Sequence, residues 1–119
     1  MAVQNEGLKA FVAGEDLEPY RRVKLSSGAG DTVEYADQAD AENFIGFTQN
    51  KVKQGEYITV KLKTTGKTFK AVANEAFAAG ATLYAGDDGK VSDTSSGNAI
   101  ATALESADVD GNVVEVLPT

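Results

Sequence analysis

"EYITVKLK", residues 56–63, decides the fold class. Ile58, Val60 and Leu62 alternate strictly with Tyr57, Thr59, Lys61 and Lys63, the two-residue period of a strand that turns one face to a core. A helix would scatter these apolar residues around its axis, and the β-branched side chains favour a pleated surface. Such a strand belongs in the middle of a sheet. Working outward, the same period recurs. "YRRVKL" (20–25) sets Val23 and Leu25 against Arg22 and Lys24, and "NVVEVLP" (112–118) sets Val114 and Val116 against Val113, Glu115 and Leu117 before Pro118 closes the strand. In "NAIATALE" (98–105), Ala99, Ala101 and Ala103 form a small-residue face that lets another layer approach closely. "TTGKT" (64–68) reads as a turn that makes "KTFKAV" (67–72) the hairpin partner of 56–63, with Phe69 and Ala71 inward.

Short alternating runs cut by Gly, Asp and Asn predict an all-β fold, a small antiparallel β-barrel or sandwich. At most one short helix is expected, near residues 74–79, where Asn74 can cap and Gly80 can stop it. In "GATLYAGDDGKV" (80–91), Gly80, Gly86 and Gly89 supply positive φ and tight reversal, and Asp87 and Asp88 sit at turn positions.

A weak internal repeat relates residues 20–62 to 78–117. Leu25, Gly28 and Val33 fall on Leu83, Gly86 and Val91, Ile45 falls on Ile100, and Gly55 and Val60 fall on Gly111 and Val116. Residues 11–119 are expected to form a single β domain. Residues 1–10, polar with few apolar anchors, read as an N-terminal arm that could order on a partner, with Leu8, Lys9 and Phe11 as its contact residues.

The chain has no Cys and no His, which removes thiol and imidazole catalysis and thiolate or imidazole metal sites. No cofactor is expected. "MAVQNEGLKAFVAG" lacks a cationic start followed by an apolar run, and no stretch is long and apolar enough to span a bilayer, so synthesis in a cytosol and no membrane association are expected. A net charge of −7 opposes binding to nucleic acid. That charge is segregated, at −5 over residues 1–42, +5 over 43–70 and −7 over 71–119. A cationic centre between anionic flanks suits head-to-tail self-association, with Lys51, Lys53, Lys61 and Lys63 as subunit contacts.

Motifs that resemble chemistry fail on spacing. "GKT" (66–68) has the ending of a phosphate loop, but the first glycine of that motif is replaced by Lys61 inside a strand. "DVDGN" (108–112) has aspartates and a glycine, yet Gly111 comes fourth where a calcium loop needs it sixth. "SSGAGD" (26–31) lacks the third glycine of dinucleotide binding. Asp87 with Asp88, or Asp108 with Asp110, could in principle serve glycoside hydrolysis, but both pairs lie in glycine turns and the chain has no Trp to stack sugar. An enzyme is not expected.

"FVAGEDL" (11–17), "IGFTQNKVKQGEYITVKL" (45–62), "AFAAGATLYAGDDGKV" (76–91) and "AIATALESADVDGNVVEVL" (99–117), taken in this order, resemble the small phage capsid decoration, or cement, proteins. The resemblance implies a structural virion protein that binds the major capsid protein on the outer surface of the head and stabilises it, often as a homotrimer. It carries over no catalytic position. Two further readings stay open: a β-barrel module binding carbohydrate or peptide on a host surface through Tyr20, Tyr57 and Tyr84, and an oligonucleotide-binding barrel using Lys51, Lys53, Lys61 and Lys63 with Tyr57.

Overall fold

The computed structural model describes residues 7–26, 29–64 and 66–119. Residues 1–6 of the expected arm, Gly28 of the repeat, Ser27 of the glycine loop and Thr65 of the expected turn lie outside them. Each half of the chain supplies five short strands and builds one sheet. In the first half, β1 (Leu8–Ala13), β2 (Arg22–Ser26), β3 (Ala29–Tyr35), β4 (Gly46–Thr48) and β5 (Tyr57–Leu62) close a barrel in the order β1-β3-β2-β4-β5. In the second, β6 (Phe69–Val72), β7 (Thr82–Ala85), β8 (Val91–Ser92), β9 (Ala101–Ala103) and β10 (Val113–Pro118) form a sheet in the order β6-β10-β9-β7-β8. Neighbouring strands run antiparallel except β1 and β3, whose parallel seam at Val12↔Thr32 and Ala13↔Val33 closes the barrel.

The all-β class read from the alternation is the class observed. Among the described residues the helical content is a single 3-10 turn, Asp87–Gly89. Residues 74–79, where the sequence allows a helical turn, are not helical: Asn74 and Glu75 form a bend, Phe77 bridges to Ala107 and Ala79 lies in a turn. Phe77 is buried there and exchanges both main-chain hydrogen bonds with Ala107, at 3.0 and 2.9 Å, which holds it extended.

Alternation sets the two cores. Ile58 and Val60 of β5 point into the barrel with Phe11, Ala13, Leu17, Val23 and Val33, and β5 is central, between β1 and β4. Val114 and Val116 of β10 point into the second core with Phe69, Leu83, Ala101 and Ala103, while Val113 and Leu117 face out.

The two sheets share a wiring. Leu17 and Val52 exchange main-chain hydrogen bonds in the first as Phe77 and Ala107 do in the second. Gly55 N–H donates to Ala13 O as Gly111 N–H donates to Ala73 O, and Ile45 N–H to Val23 O as Ile100 N–H to Leu83 O. Val23 therefore takes the place of Leu83; Leu25, aligned with Leu83 by sequence, is 42% exposed beside a register shift between Leu25 and Ser26. The parallel seam of the barrel is reduced in the second sheet to one bridge, Ala73↔Val91.

The expected hairpin between β5 and β6 does not form. Both edges of β5 are taken, by β1 and β4, so the chain leaves the barrel and β6 pairs with β10 from Val113↔Val72 to Val116↔Phe69. Phe69 then packs on the outside of the barrel, its ring centroid 4.9 Å from that of Phe47.

That contact explains why the second sheet needs no full closure. Phe47 and Arg22 are cross-strand partners on the outer face of the barrel, and Phe47, Phe44 and Ala36 fill the second core from the barrel side. Arg22, expected on a solvent face, is completely buried at this junction. Its guanidinium donates to five main-chain carbonyls: Gly86 at 2.5 Å, Ala36 and Lys90 at 3.2 Å, Asp37 at 3.3 Å and Asp40 at 3.4 Å. A buried cation is tolerable only with its donors satisfied in this way. Gly86, expected at positive φ, is extended at −114°; its part in the junction is the carbonyl that Arg22 binds. Gly89 does adopt positive φ, +75°, and a Cβ there would lie 2.6 Å from the Arg22 carbonyl, so the two halves meet at a point where a side chain does not fit.

Candidate functional site

The titratable groups with displaced pKa values all have structural employment. Burial pulls Arg22 down to about 10, against the raising pull of Asp40, Asp37 and Asp87, which leaves it charged at neutral pH. Burial would raise Asp40, but the Asp37 N–H, the Lys24 ammonium at 3.0 Å and the Asn43 amide outweigh it and hold the carboxyl below its ordinary value. Lys24 is raised in turn, first by its hydrogen bond to Asp40. Glu75 is lowered to about 2 because the hydroxyls of Ser92 and Thr94 donate to it, and Asp93, hydrogen-bonded to Glu75, is raised. These pairs clamp loops on the surface of the sheets.

The motif residues are likewise engaged in turns. Thr68 donates from its hydroxyl to Glu115 at 2.6 Å and accepts the Lys61 ammonium on its carbonyl at 2.6 Å. In "DVDGN" the Asn112 side-chain oxygen accepts the N–H groups of Asp108 and Val109, at 2.7 and 3.3 Å, while Asp110 pairs with Lys90 at 2.9 Å. Asp87 accepts the Gln38 N–H and Asp37 accepts the Asp88 N–H, both at 3.2 Å, which ties the 3-10 turn to the barrel. No group of three or more acidic side chains among the described residues is placed to hold a metal ion. No helix among them is long and apolar enough to cross a membrane.

What the described residues offer is exposed surface. Leu8, Ala10 and Val12 of β1 lie opposite Lys61, Thr59 and Tyr57 of β5, so these six share the outer face of the barrel. Leu8 is 42% exposed and Tyr57 74% exposed. On the second sheet Leu104, Val113 and Leu117 are exposed on outer faces, and Val109 stands at the tip of the loop before β10.

The sequence-derived site residues separate on this surface. Leu8, Lys9 and Phe11 all belong to β1; Leu8 and Lys9 are exposed, whereas Phe11 is buried against Ile58 and seats the strand in the barrel. Lys61 and Lys63 lie at one end of β5, at the junction of the sheets, over the rings of Phe69 (4.9 Å) and Phe44 (4.6 Å). Lys51 and Lys53 are exposed at the other end, roughly 20 Å away by strand rise, and Lys51 pairs with Glu18 at 3.7 Å. The tyrosines do not form one platform. Tyr57 is on the barrel face, Tyr84 on β7 of the other sheet, and Tyr20 faces the Lys70 ammonium. Sequence reasoning missed Arg22; its one signal is a long cation paired in alternation with the core residue Val23, which a second layer turns into a buried position.

Two small β-sheets packed through a buried junction, with apolar and charged groups displayed on their outer strands, define an all-β, double-sheet protein. A family model of the phage cement protein matches residues 17–118. This chain belongs to that family, a family of structural phage proteins. Among solved structures, the N base of the head fiber gp8.5 of bacteriophage phi29 has the same fold, with a TM-score of 0.78 at 18% identity, covering 94% of this chain and 92% of that one. No curated protein matches the chain.

Proposed function

We propose that this protein binds the major capsid protein on the outer surface of a phage head and stabilises the assembled shell, without catalysis and without nucleic acid as a partner. The observation that carries the reading is the match of residues 17–118 to the phage cement protein family. The physical features agree with it. A rigid body with a sealed interior acts by covering area, and repeated weak contacts across a symmetric lattice add through avidity. Leu8 and Lys9 are the proposed capsid contacts; Tyr57 continues the outer barrel face from Leu8, while Lys9 stands on the alternate face of β1, its ammonium 5.7 Å from the Phe11 ring. Phe11 contributes from inside the barrel by fixing β1. The proposed organisation keeps an N-terminal arm and a single β domain; residues 8–10 of the expected arm belong to β1 (Leu8–Ala13).

The proposed assembly is a homotrimer, made in the host cytoplasm and carried on the virion. The threefold state is what the resemblance to phage cement proteins implies; the segregation of charge along the chain agrees with association of unlike surfaces and fixes no number. The test is to mix purified protein with empty heads, sediment them, and heat the bound and unbound heads in parallel. Binding with a raised disruption temperature supports the proposal. Protein left in the supernatant, or bound protein that leaves head survival unchanged, contradicts it.

A further inference from the structure

A groove of about 590 Å³ opens at the C-terminal end of β10, where the second sheet meets the end of β5. Phe44, Ile100, Leu117 and Pro118 give it an apolar floor, and Lys63 and Thr64, which follow β5, stand on its wall. Leu117 is 47% exposed there. The polar groups of the wall bond to one another: the Lys63 ammonium donates to the Glu42 carbonyl at 3.1 Å, and the Glu42 carboxylate accepts the Asn98 amide. What the groove leaves uncovered is its apolar floor, and an apolar segment of chain suits it.

The chain brings such a segment to the edge of the groove. β1 runs antiparallel to β5 as far as Leu8↔Lys61, and one step further the Leu62 N–H donates to the Gly7 carbonyl at 2.7 Å. Gly7 is thus held against the last residue of β5, and the wall residues Lys63 and Thr64 come next. At Gly7 the backbone turns, with φ +81°, so the residues before it are released from the line of the ladder. Those residues, 1–6, read "MAVQNE": Gln4, Asn5 and Glu6 adjoin Gly7, and Met1, Ala2 and Val3 lie beyond them. At the length of an extended chain, Val3 reaches roughly 14 Å from Gly7 and Met1 roughly 20 Å. The polar half of the segment therefore spans the wall, and the apolar half arrives over the floor.

We propose that residues 1–6 of each molecule dock in that molecule's own groove, with Met1 and Val3 against Leu117 and Pro118. The segment is then a strap that runs from β1 of the barrel to the end of β10 and ties the two sheets together a second time, away from Arg22. It removes the apolar end of β10 from water and leaves the Leu8 and Tyr57 face uncovered. The strap goes beyond the shell reading and does not depend on it.

The absence of cysteine permits a direct test. Val3→Cys and Leu117→Cys are combined in one chain and oxidised at low protein concentration, beside a control chain that carries Val3→Cys and Val113→Cys at the far end of β10. A disulfide needs the two Cα atoms within about 7 Å. The proposal expects an internally bridged monomer, formed at least roughly tenfold faster than in the control and at a rate independent of protein concentration. Amide hydrogen exchange on the chain without cysteines gives a second readout. The N–H groups of residues 3–6 are expected to exchange at least roughly tenfold more slowly than in a free peptide of the same sequence, and Leu117→Asp, at an exposed position, is expected to abolish that protection. Equal bridging in the two chains, or exchange as fast as in the peptide, overturns the strap. A disulfide that joins two molecules and forms faster as concentration rises gives the groove to a neighbour's segment and overturns it as well. All of these readouts are taken without heads, so head binding by sedimentation tests the shell reading separately.

Discussion

The guanidinium of Arg22, on β2 of the barrel, donates to the carbonyl of Gly86, just after β7 of the second sheet, at 2.5 Å. Four further carbonyls surround the same group, and none of its surface meets solvent. Two sheets from two halves of the chain are thereby joined through one side chain. Arg22→Met keeps the bulk but leaves those carbonyls without donors, and it is expected to lower unfolding free energy by about 3 kcal/mol or more. Arg22→Lys recovers only part, since an ammonium cannot spread a planar fork over five acceptors. Urea unfolding checks both, and a Met variant as stable as the wild type contradicts the assignment.

Gly89 gives a second test of the junction. Its φ of +75° and the Arg22 carbonyl 2.6 Å from a virtual Cβ both oppose a side chain. Gly55 has a similar φ, +91°, but open space around it. Alanine at Gly55 carries the backbone term alone, about 1 kcal/mol. Alanine at Gly89 is expected to lose at least about 1 kcal/mol more, from overpacking. Equal losses in thermal unfolding would show that the two halves do not meet closely there.

Acid stability depends on Glu75. Its folded pKa, about 2, lies below the ordinary 4.5, so its contribution is complete above pH 4.5 and is lost as pH falls toward 2. Asp93 runs in the opposite sense, because its folded pKa is raised above 3.8 and its protonated form is the favoured one. The wild type shows the difference of the two. Asp93→Asn should therefore lose melting temperature more steeply between pH 4.5 and 2, and Ser92→Ala, which removes the leading donor to Glu75, less steeply. A scan of melting temperature against pH in which all three proteins superimpose removes the clamp from the account.

The barrel face of β1 and β5 is the surface proposed to meet the shell. Leu8→Asp and Tyr57→Asp place charge on exposed positions, 42% and 74% accessible, outside either core. Stability is expected to change by no more than about 0.5 kcal/mol. Affinity for heads, read as the protein concentration for half-saturation in sedimentation, should weaken roughly tenfold. Unaltered affinity in both would move the contact to another face.

Much of this fold is legible in the sequence, and the exceptions share a cause. The alternation of 57–62 and 113–118 predicts which residues of β5 and β10 are inward, because one face of a strand must be apolar wherever it rests on a core. Partner choice is not local. The turn chemistry of 64–68 is compatible with a hairpin, yet the edges of β5 are claimed by strands from distant sequence, so β6 crosses to the other sheet. The outer face of β2 and β4 reads as a surface until a second layer covers it, which is why Arg22 and Phe47 look unlike partners in a buried junction. At the proposed capsid contact, Leu8 stands out as an apolar residue in a polar start; the groove beside Phe44 is assembled from four separated segments and has no sequence signature.

The central claim is that this protein works by docking on the outside of an assembled head. Cryo-electron microscopy of empty heads incubated with the purified protein tests it most directly. The account predicts added density on the exterior, repeated at symmetry-related positions and fitted by this double-sheet body with the Leu8 and Tyr57 face toward the shell. Heads that show no added density, or density confined to the interior, would contradict it.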